Sequence, residues 1–272
     1  MAENNTVGSV ARLWRFPVKS MRGERLEQAE LTERGIVGDR AYALTDVETG
    51  KVVSAKNVAQ FPELFACQAA FVEPPQPGRE TPPVRIDLPD GTSVRSDSAE
   101  VGRVLSRCFK RDVRLSRATP VGLGSTAGLN SPVPVGPFFD LSPLSVLTTS
   151  TLKQFNEYRP QSRFDERRFR MNVIVDTMDS GFVENHWVGR EVELGESTRL
   201  HVPFPDARCV MTTLAQEELP NDPDILRILN RYNRIQVRDA GQFPCAGVYA
   251  VIVATGVVRL GDRVSLRPRD QS

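Results

Sequence analysis

Short segments with strand-forming patterns follow one another along most of this chain, and this feature constrains its fold most strongly. In these segments apolar and polar residues alternate, or β-branched and aromatic residues cluster. Clear examples are SVARLWRFPV, RLEQAELT, RAYALTD, LFACQAAFV, RMNVIVD and GVYAVIV. Helical patterns are few and do not alternate regularly with the strands, so repeated βαβ units are not expected. We predict a mostly β fold with a few helices, an α+β class based on a β-barrel.

Turn signals divide the strands further. VRIDLPDGTSVRS predicts a hairpin around Asp90-Gly91, a common turn pair. REVELG and TRLHVP predict a second hairpin, and CVMTTL reads as another strand. The last strands are predicted to reverse direction around Thr255-Gly256.

Three segments predict helices. They are SAEVGRVLSRCF, with Asp97 or Ser98 as a cap, TSTLKQFNEY, opened by Thr149 or Ser150, and DPDILRILNRY, capped by Asp222. The last is the clearest, because Pro223 stands at its first position and apolar residues follow at helical spacing.

Composition excludes several classes of protein. The 272 residues include 35 basic and 34 acidic ones, so no overall charge draws the chain to nucleic acid or to a membrane. The first ten residues, MAENNTVGSV, have no apolar signal core, and no long apolar stretch predicts a membrane span. Four scattered cysteines are typical of a reducing compartment. We therefore expect a cytoplasmic protein.

The segment PDARCVMTT raises the question of what Cys209 does. A free cysteine is commonly a small buried hydrophobe, so from the residue alone packing is the default interpretation. Arg208 beside it would favour the thiolate, the form that attacks or binds metal. No cysteine or histidine follows at the spacing of a zinc site, so a single-thiolate ligand for a soft metal held by a cofactor is the metal-binding possibility. A Cys-His-acid protease, using His186 or His201, is the nucleophilic alternative.

The other cysteines are expected in packing. Cys67 and Cys108 lie within apolar strand and helix patterns, and Cys245 in FPCAGVY is predicted to pack as well. Tyr249, in the alternating segment GVYAVIV, reads from its pattern as a half-buried strand residue.

A basic constellation stands near the N-terminus. Lys19 and Ser20 end a strand that Pro17 interrupts, and Arg40 begins a later strand. An ammonium, a hydroxyl and a guanidinium can together hold a phosphate through charge-assisted hydrogen bonds. The alternative, which spacing alone favours, is a solvated strand end with an ordinary ion pair.

The segment RFDERRFRMN contains four arginines, most of which are expected on a solvated charged face. Arg170 differs because it opens the apolar strand pattern MNVIVD, where an unpartnered guanidinium would be costly. We expect Asp176 or a ligand phosphate to pair with it.

Taken together, these segments resemble the MOSC family, the molybdenum cofactor sulfurase C-terminal domain proteins. Within that family the resemblance is to the mitochondrial amidoxime-reducing components and their bacterial relatives. The matching segments are VARLWRFPVKS through GDRAYALTD, then DLSPLSVLTTSTLKQFN, FRMNVIVD, DARCVMTTL and AGVYAVIVATGVVRLGDRVSL. Each is weakly specific alone, but five in family order over nearly the whole chain are a strong signal. One departure is Met171, where the family's RPN element has proline.

The resemblance implies a fold in which a MOSC-type β-barrel follows an N-terminal β-barrel-like region. We place that region at 6–118, a Gly/Pro-rich linker or loop at 119–137, and the MOSC domain at 138–268. N-terminal strands are expected to complete part of the MOSC barrel.

The resemblance also implies one molybdenum–molybdopterin cofactor between the two regions. Cys209 is then the catalytic residue and the molybdenum ligand. The other implied cofactor-binding residues are Lys19, Ser20, Arg40, Ser142, Arg170, Arg208 and Tyr249.

The implied activity is reduction of N-hydroxylated small molecules, such as amidoximes and hydroxylamines. The cysteines cannot frame an iron–sulfur cluster and the chain ends shortly after the last MOSC strands. We therefore expect a separate electron donor: a ferredoxin, a flavoprotein or a cytochrome b5-like protein. Neither nucleic acid nor a membrane is an expected partner. The alternatives are a carrier of the cofactor, or of a persulfide on Cys209, and a scaffold that binds no cofactor.

Overall fold

Strands make up 39% of the structure, a computed structural model that describes residues 5–56, 60–118 and 138–268. Three α-helices accompany the strands in these ranges. The predicted mostly β class with a few helices is therefore confirmed. The Gly/Pro-rich segment at 119–137 lies outside the described residues. Within the described ranges, no helix combines the length and the apolar character needed to cross a membrane.

The elements are numbered in chain order. The strands are β1 (Thr6–Arg15), β2 (Glu24–Leu26), β3 (Gln28–Thr32), β4 (Gly35–Ile36), β5 (Tyr42–Asp46), β6 (Gln68–Phe71), β7 (Val84–Asp87), β8 (Ser93–Arg95), β9 (Val113–Arg117), β10 (Leu144–Thr148), β11 (Val173–Thr177), β12 (Glu191–Leu194), β13 (Thr198–Ala207), β14 (Arg234–Gln236), β15 (Gln242–Ala254), β16 (Gly256–Arg259) and β17 (Arg263–Leu266). The α-helices are α1 (Val101–Phe109), α2 (Thr149–Tyr158) and α3 (Asp224–Tyr232). Short 3-10 turns cover Pro62–Phe65, Glu166–Arg168, Val183–Trp187, Val210–Thr213 and Arg238–Ala240.

The described chain divides into two units. The barrel unit comprises the residues up to Trp14, Leu26–Ile36 and those from Ser142 onward. The second unit comprises Arg15–Arg25 and the described part of Val37–Leu141. In the second unit β6, β7 and β8 form one antiparallel sheet, β5 pairs with β9, and α1 packs against β9. Its buried side chains include Met21, Leu44, Ile86 and Leu105.

Seven strands of the barrel unit close on themselves in the order β10, β11, β1, β17, β12, β13 and β15, and β15 pairs again with β10. All neighbours are antiparallel except β10 and β11, which α2 connects. Closure removes the free edges of a sheet. Because alternate residues of a strand face opposite sides, one side of each strand fills the interior. The buried set includes Val10, Leu13, Val146, Val173, Leu200 and Val248.

Smaller elements surround the barrel. β16, β3 and β4 form a separate sheet, and β14 pairs with the start of β15. A second apolar cluster joins α2, α3 and the turn before β11. It includes Phe155, Phe169, Met171, Ile225 and Leu229. This cluster positions the arginine-rich turn of the barrel unit.

Both predicted hairpins are present. β7 and β8 reverse around Asp90-Gly91, where Gly91 has φ +84° and Leu88 N donates to Thr92 O at 2.8 Å. β12 and β13 form the second hairpin, which turns at Gly195.

The segment CVMTTL is not a strand, contrary to its pattern. β13 ends at Ala207 and a 3-10 turn covers Val210–Thr213. The hydroxyls of Thr212 and Thr213 donate to the carbonyls three residues earlier, at 3.0 and 2.8 Å. Such local side-chain hydrogen bonds compete with an extended backbone.

The predicted reversal at Thr255-Gly256 is also wrong. β15 ends just before it and β16 begins there, but β16 pairs with β3 instead of β15. A Cβ at Gly256 would lie 2.4 Å from Ser197 Oγ, so the chain passes close to the β12–β13 turn at this point. A third strand, β17, then joins the barrel between β1 and β12.

The caps of all three helices differ from prediction. α3 begins at Asp224 with Pro223 as its cap residue, and Asp222, the predicted cap, lies one residue earlier and accepts a hydrogen bond from Asp224 N at 3.0 Å. α1 follows Glu100, and no side chain caps it, neither Asp97 nor Ser98. α2 is capped by Thr148, one residue earlier than predicted, whose Oγ1 accepts from Thr151 N at 3.2 Å. Neighbouring Ser and Thr residues are equivalent in such a pattern, so the sequence does not distinguish the cap position.

Candidate functional site

Cys209 lies at the junction between β13 and the turn Val210–Thr213, partly exposed and with a free thiol. Its backbone is extended, with φ −126° and ψ −175°. Its carbonyl accepts hydrogen bonds from N and Oγ1 of Thr212 at 3.1 and 3.0 Å. One residue earlier, Arg208 N donates to Pro244 O at 2.8 Å and ties the end of β13 to β15. The main chain on both sides of the thiol is therefore held by hydrogen bonds.

The other cysteines lie in more apolar surroundings. Cys67 and Cys245 have no exposed surface, and burial raises the pKa of each thiol to about 12. Cys108 is partly exposed on α1, and partial burial raises its pKa too. Thiols with raised pKa values stay protonated at neutral pH, and the thiolate is the form that binds metal. Cys209 lies at a strand-to-turn junction beside the nearly enclosed Arg208, and this position makes it the strongest candidate ligand among the four.

The guanidinium of Arg208 is almost enclosed, with 12% of the side chain exposed. It forms an ion pair with the buried Asp206 and donates to Phe169 O. Burial alone would lower the pKa of Arg208, but Asp206, Tyr249 and Cys209 keep it above its ordinary value. Its Nε is buried and has no hydrogen-bond partner among the described residues. One donor of this charged side chain is thus left for an acceptor.

Arg170 occupies the turn before β11 and is 8% exposed. Its φ is +54°, in the left-handed region that non-glycine residues seldom adopt. Arg208 donates to the carbonyl of Phe169, directly before it. Asp176, the partner expected from the sequence, lies near the far end of β11 and accepts a hydrogen bond from Thr149 Oγ1 at 2.7 Å.

Tyr249 and Ser142 lie close together on the barrel wall. Tyr249 pairs with Ser145 of β10 and Phe204 of β13, and its ring centroid is 5.4 Å from that of Phe204. Ser142 Oγ donates its hydrogen to Ala250 O at 2.7 Å. The hydroxyl oxygen can therefore only accept a hydrogen bond from a further group. The barrel unit thus carries Cys209 and four of the other predicted residues.

The remaining three predicted residues lie in the second unit, where Lys19 is part of a charged cluster. Its Nζ donates to Phe138 O at 2.9 Å and pairs with Asp140, which also pairs with Lys56 at 2.9 Å. Burial lowers the pKa of Lys19, Asp140 opposes this effect, and Arg40 and Lys56 add to it. Burial alone would raise the pKa of Asp140, but the two lysines hold it far below its ordinary value. Two ammonium groups therefore share one carboxylate in this cluster.

Ser20 and Arg40 each already have a protein partner. Ser20 is 3% exposed, and its Oγ accepts from Ala55 N at 3.2 Å. Arg40 pairs with the buried Asp39, and its guanidinium carbon lies 4.7 Å from the ring centroid of Phe16. A cofactor bound here would have to share the side chains of Ser20 and Arg40 with these protein partners.

Three of the predicted residues share an unusual backbone conformation. Six non-glycine residues in the described ranges have a positive φ, and Ser20, Arg40 and Arg170 are among them, at 66°, 48° and 54°. This conformation costs about 1–2 kcal/mol per residue. Such strain is concentrated at binding and catalytic sites, where the surroundings enforce it. The sequence has no signal for it, because none of the three is a glycine.

Sequence reasoning missed the residues that hold the predicted ones in place. Asp206 pairs with Arg208 and Asp140 pairs with Lys19. Arg168, assigned from the sequence to a solvated face, is 1% exposed. The aspartate two residues before Arg208 was a usable local signal. Asp140 and Arg168 were not predictable, because their partners are distant in the chain.

The barrel is closed and carries one partly exposed cysteine beside a nearly enclosed arginine. These features define a mostly β protein with a single-cysteine site. Two family models match the chain in succession: the MOSC N-terminal beta barrel domain over residues 7–115 and the MOSC domain over residues 137–265. Together they span most of the sequence. This chain therefore belongs to the MOSC family.

The curated relatives of this chain are mitochondrial amidoxime-reducing components. Mitochondrial amidoxime-reducing component 1 of Mus musculus and that of Homo sapiens are each 24% identical over 286 residues, covering 96% of this chain and 82% and 83% of the relatives. The solved structure of the YUAD protein from Bacillus subtilis aligns with a TM-score of 0.46 and 12% identity, covering 96% of this chain and 95% of that one. The resemblance inferred from the sequence is confirmed at the level of the family.

Proposed function

We propose that this protein is a molybdenum cofactor-dependent oxidoreductase that reduces N-hydroxylated compounds such as amidoximes and hydroxylamines. The observation that carries the proposal is the partly exposed thiol of Cys209 close to the charged, enclosed guanidinium of Arg208. A lone thiolate suits a soft metal whose other ligands come from a cofactor. Membership of the MOSC family and the names of the curated relatives support the same activity.

The barrel-unit residues fit such a cofactor. The buried Nε of Arg208, which has no partner in the described part of the chain, is a donor that needs an acceptor. Arg170 adds a second guanidinium, and Tyr249 and Ser142 add hydroxyl groups on the barrel wall. A pyranopterin has a phosphate and polar ring atoms that these groups can bind.

The second unit supplies a positively charged cluster. Lys19, Ser20 and Arg40 are proposed as ligands of the cofactor's anionic part, as the family resemblance implies. Lys19 and Lys56 both pair with Asp140, and ammonium groups are among the donors that bind a phosphate.

The bound cofactor would supply the two-electron chemistry that breaks the N–O bond. For a hydroxylamine, two electrons and two protons convert R–NH–OH into R–NH2 and water. Cys209 would bind the molybdenum as its protein ligand, and Arg208 would stabilise the negative charge of the thiolate. The contact with Phe204 would keep Tyr249 in a fixed orientation at the same site.

The electrons are proposed to come from a separate protein: a ferredoxin, a flavoprotein or a cytochrome b5-like donor. Once Cys209 serves the molybdenum, three cysteines remain in this chain, whereas an iron–sulfur cluster takes four thiolates. We also propose a cytoplasmic location, because four free thiols suit a reducing compartment.

The decisive experiment is metal analysis followed by turnover. The protein is produced in a host that makes the cofactor, and its molybdenum content is measured. A chemical reductant and a panel of amidoximes and hydroxylamines then test activity. We expect Cys209→Ala to abolish turnover, whereas Cys108→Ala, which changes the other partly exposed thiol, should retain it. No molybdenum in the wild-type protein would refute every cofactor-based function.

A carrier of the cofactor, or of a persulfide on Cys209, is the second candidate. The partial exposure of this free thiol favours it, because a delivered sulfur must be reached by another protein. Protein that contains molybdenum but does not reduce any compound of the panel would support the carrier over the enzyme.

A further inference from the structure

Two segments of the barrel unit carry Arg170 and Cys209, and each contains an enclosed arginine that reaches the other segment. The first is the turn 163–171 before β11, which contains Arg168. The second is the stretch 206–220, which begins with the last two residues of β13 and contains Arg208. The two arginines connect the segments in opposite directions.

Arg168 donates only to main-chain carbonyls among the described residues. Its Nε donates to Arg163 O at 2.8 Å, within its own turn. Its other nitrogens reach the second segment: NH2 lies 2.9 Å from Pro220 O, and NH1 lies 3.4 and 3.3 Å from the carbonyls of Thr212 and Leu214. These three carbonyls all follow Cys209 in the chain.

Because Arg168 is enclosed, its N–H donors need these carbonyls as acceptors. A buried guanidinium is costly unless its donors are satisfied. Burial lowers the pKa of Arg168, while Asp222 and Asp165 act in the opposite direction. A guanidinium carries five N–H donors on three nitrogens in a rigid plane, whereas the ammonium of a lysine has three rotatable donors on one nitrogen. Arg168 therefore adds long-range hydrogen bonds to carbonyls of the turn and the loop that follow Cys209.

Arg208 makes the reverse connection. Its NH2 donates to Phe169 O and its NH1 lies 3.6 Å from Met171 Sδ, so it contacts the residues on both sides of Arg170. Asp206 binds the same NH1 and holds the guanidinium in place. The left-handed backbone of Arg170 is unfavourable by itself and persists only where its surroundings enforce it.

We propose that Arg168 and Arg208 are positioning residues that brace these two segments, Arg168 holding the turn after Cys209 and Arg208 holding the turn that carries Arg170. The inference rests on the proposed function, in which Cys209 and Arg170 are cofactor ligands. Such ligands need a supporting shell that holds them within about 0.5 Å of the working geometry. Apart from the last two residues of β13, both segments consist of loops and 3-10 turns, so long-range side-chain contacts add to the local main-chain hydrogen bonds that hold them.

Amide hydrogen exchange of the cofactor-free protein, read by mass spectrometry of its peptides, tests the brace. Arg168→Met keeps most of the aliphatic stem and removes the donors, and we expect amides 209–214 to exchange about tenfold faster. Asp206→Asn weakens the hold on Arg208, and amides 169–172 should exchange faster. Arg163→Met is the matched control, because this neighbour is 54% exposed in a surface ion pair.

Arg163→Met should exchange at the wild-type rate throughout, and the amides of β12 should keep the wild-type rate in every variant. Unchanged exchange at 209–214 in Arg168→Met, or equally faster exchange throughout the barrel, would overturn the brace. If Arg168→Met does not fold, Arg168→Lys takes its place. A smaller increase confined to the same amides is then expected, and no increase overturns the proposal.

The cofactor-loaded protein distinguishes positioning from plain stability. We expect the electron paramagnetic resonance spectrum of the partly reduced protein to shift or broaden in Arg168→Met and Asp206→Asn, and to stay unchanged in Arg163→Met. Identical spectra in all variants would refute the positioning role. Absence of molybdenum from the wild-type protein would refute the proposed function, and the exchange experiment would still decide the brace.

Discussion

Arg163 and Arg168 lie in the same turn but have different surroundings. The side chain of Arg163 is 54% exposed and pairs with Glu218, whereas Arg168 is 1% exposed and enclosed by carbonyls. The predicted solvated face is right for the first and wrong for the second. Arg163 precedes the 3-10 turn Glu166–Arg168, in which successive side chains point about 120° apart. Within that turn Arg167 pairs with Glu217 and Glu218, whereas the adjacent Arg168 points into the protein. The sequence pattern does not tell which direction leads into the protein.

Glu184 is another buried ionisable residue of the barrel unit. Its carboxylate accepts hydrogen bonds from Thr148 Oγ1 and Thr151 Oγ1 at 2.6 and 2.7 Å. Burial raises its pKa above the ordinary value of 4.5, although the two threonines oppose the change. The folded protein therefore binds this proton more tightly than the unfolded chain does. The resulting stability is complete below the ordinary pKa and is lost as the pH rises through the raised one.

We predict that Glu184→Gln, which cannot ionise, gains stability relative to the wild type as the pH rises from about 4 to about 8. Urea denaturation of both proteins at the two pH values measures the difference in the free energy of unfolding. A difference that is the same at both ends of this range would show that Glu184 ionises as easily in the folded state as in the unfolded chain.

At the scale of elements, the barrel depends on the close approach of β15 to β10 at Gly247. The glycine has φ +81°, and a Cβ there would lie 2.2 Å from Met171 Cε and 2.6 Å from Val146 O. The methionine end can move, but Val146 O belongs to the backbone of β10. The two strands can therefore pair at this point only through a glycine.

Gly261 provides a matched control for a substitution at this position, since it has φ +83° and nothing within 4 Å of a Cβ. We predict that Gly261→Ala lowers the free energy of unfolding by about 1–2 kcal/mol, the cost of the left-handed conformation. Gly247→Ala should cost about 1–3 kcal/mol more because it adds steric overlap. Chemical denaturation measures both. Equal losses would mean that β10 shifts without penalty.

Local sequence patterns predicted most elements. They failed where the same residues suit either a strand or a turn. The hairpin at Asp90-Gly91 follows from a turn pair that acts over four residues. In CVMTTL the β-branched residues indicated a strand, yet the hydroxyls of Thr212 and Thr213 close a 3-10 turn instead. β13 already pairs with β12 and β15, and its chain leaves the barrel after Ala207.

At the scale of the whole molecule, the question is whether the second-unit residues serve folding or cofactor binding. Arg40 pairs with the buried Asp39, so it contributes to the fold of its own unit as well as to the proposed site. A bound cofactor stabilises the native state by mass action, because the unfolded chain does not bind it. Loaded wild-type protein should therefore melt at a higher temperature than cofactor-free protein.

We predict that Arg40→Ala lowers the molybdenum content of the purified protein more than it lowers the melting temperature of the cofactor-free protein. The reason is the loss of the charge-assisted hydrogen bond that Arg40 is proposed to donate to the cofactor. Arg117→Ala, which removes an exposed pair with Glu80 in the same unit, is the control. If the loaded and the cofactor-free variants lose the same thermal stability relative to wild type, Arg40 acts on folding alone.

The sequence by itself determined the mostly β class, both hairpins and the choice of Cys209 as the candidate ligand. Alternation, turn pairs and ordered motifs operate over a few neighbouring residues, and a single chain displays them directly. Only the tertiary structure decided that β1 lies between β11 and β17, that β16 pairs with β3, and that Arg168 meets the carbonyls after Cys209. Many strand pairings satisfy the same alternating pattern, and a long side chain has many reachable partners. Contacts between residues distant in the chain select one arrangement among them.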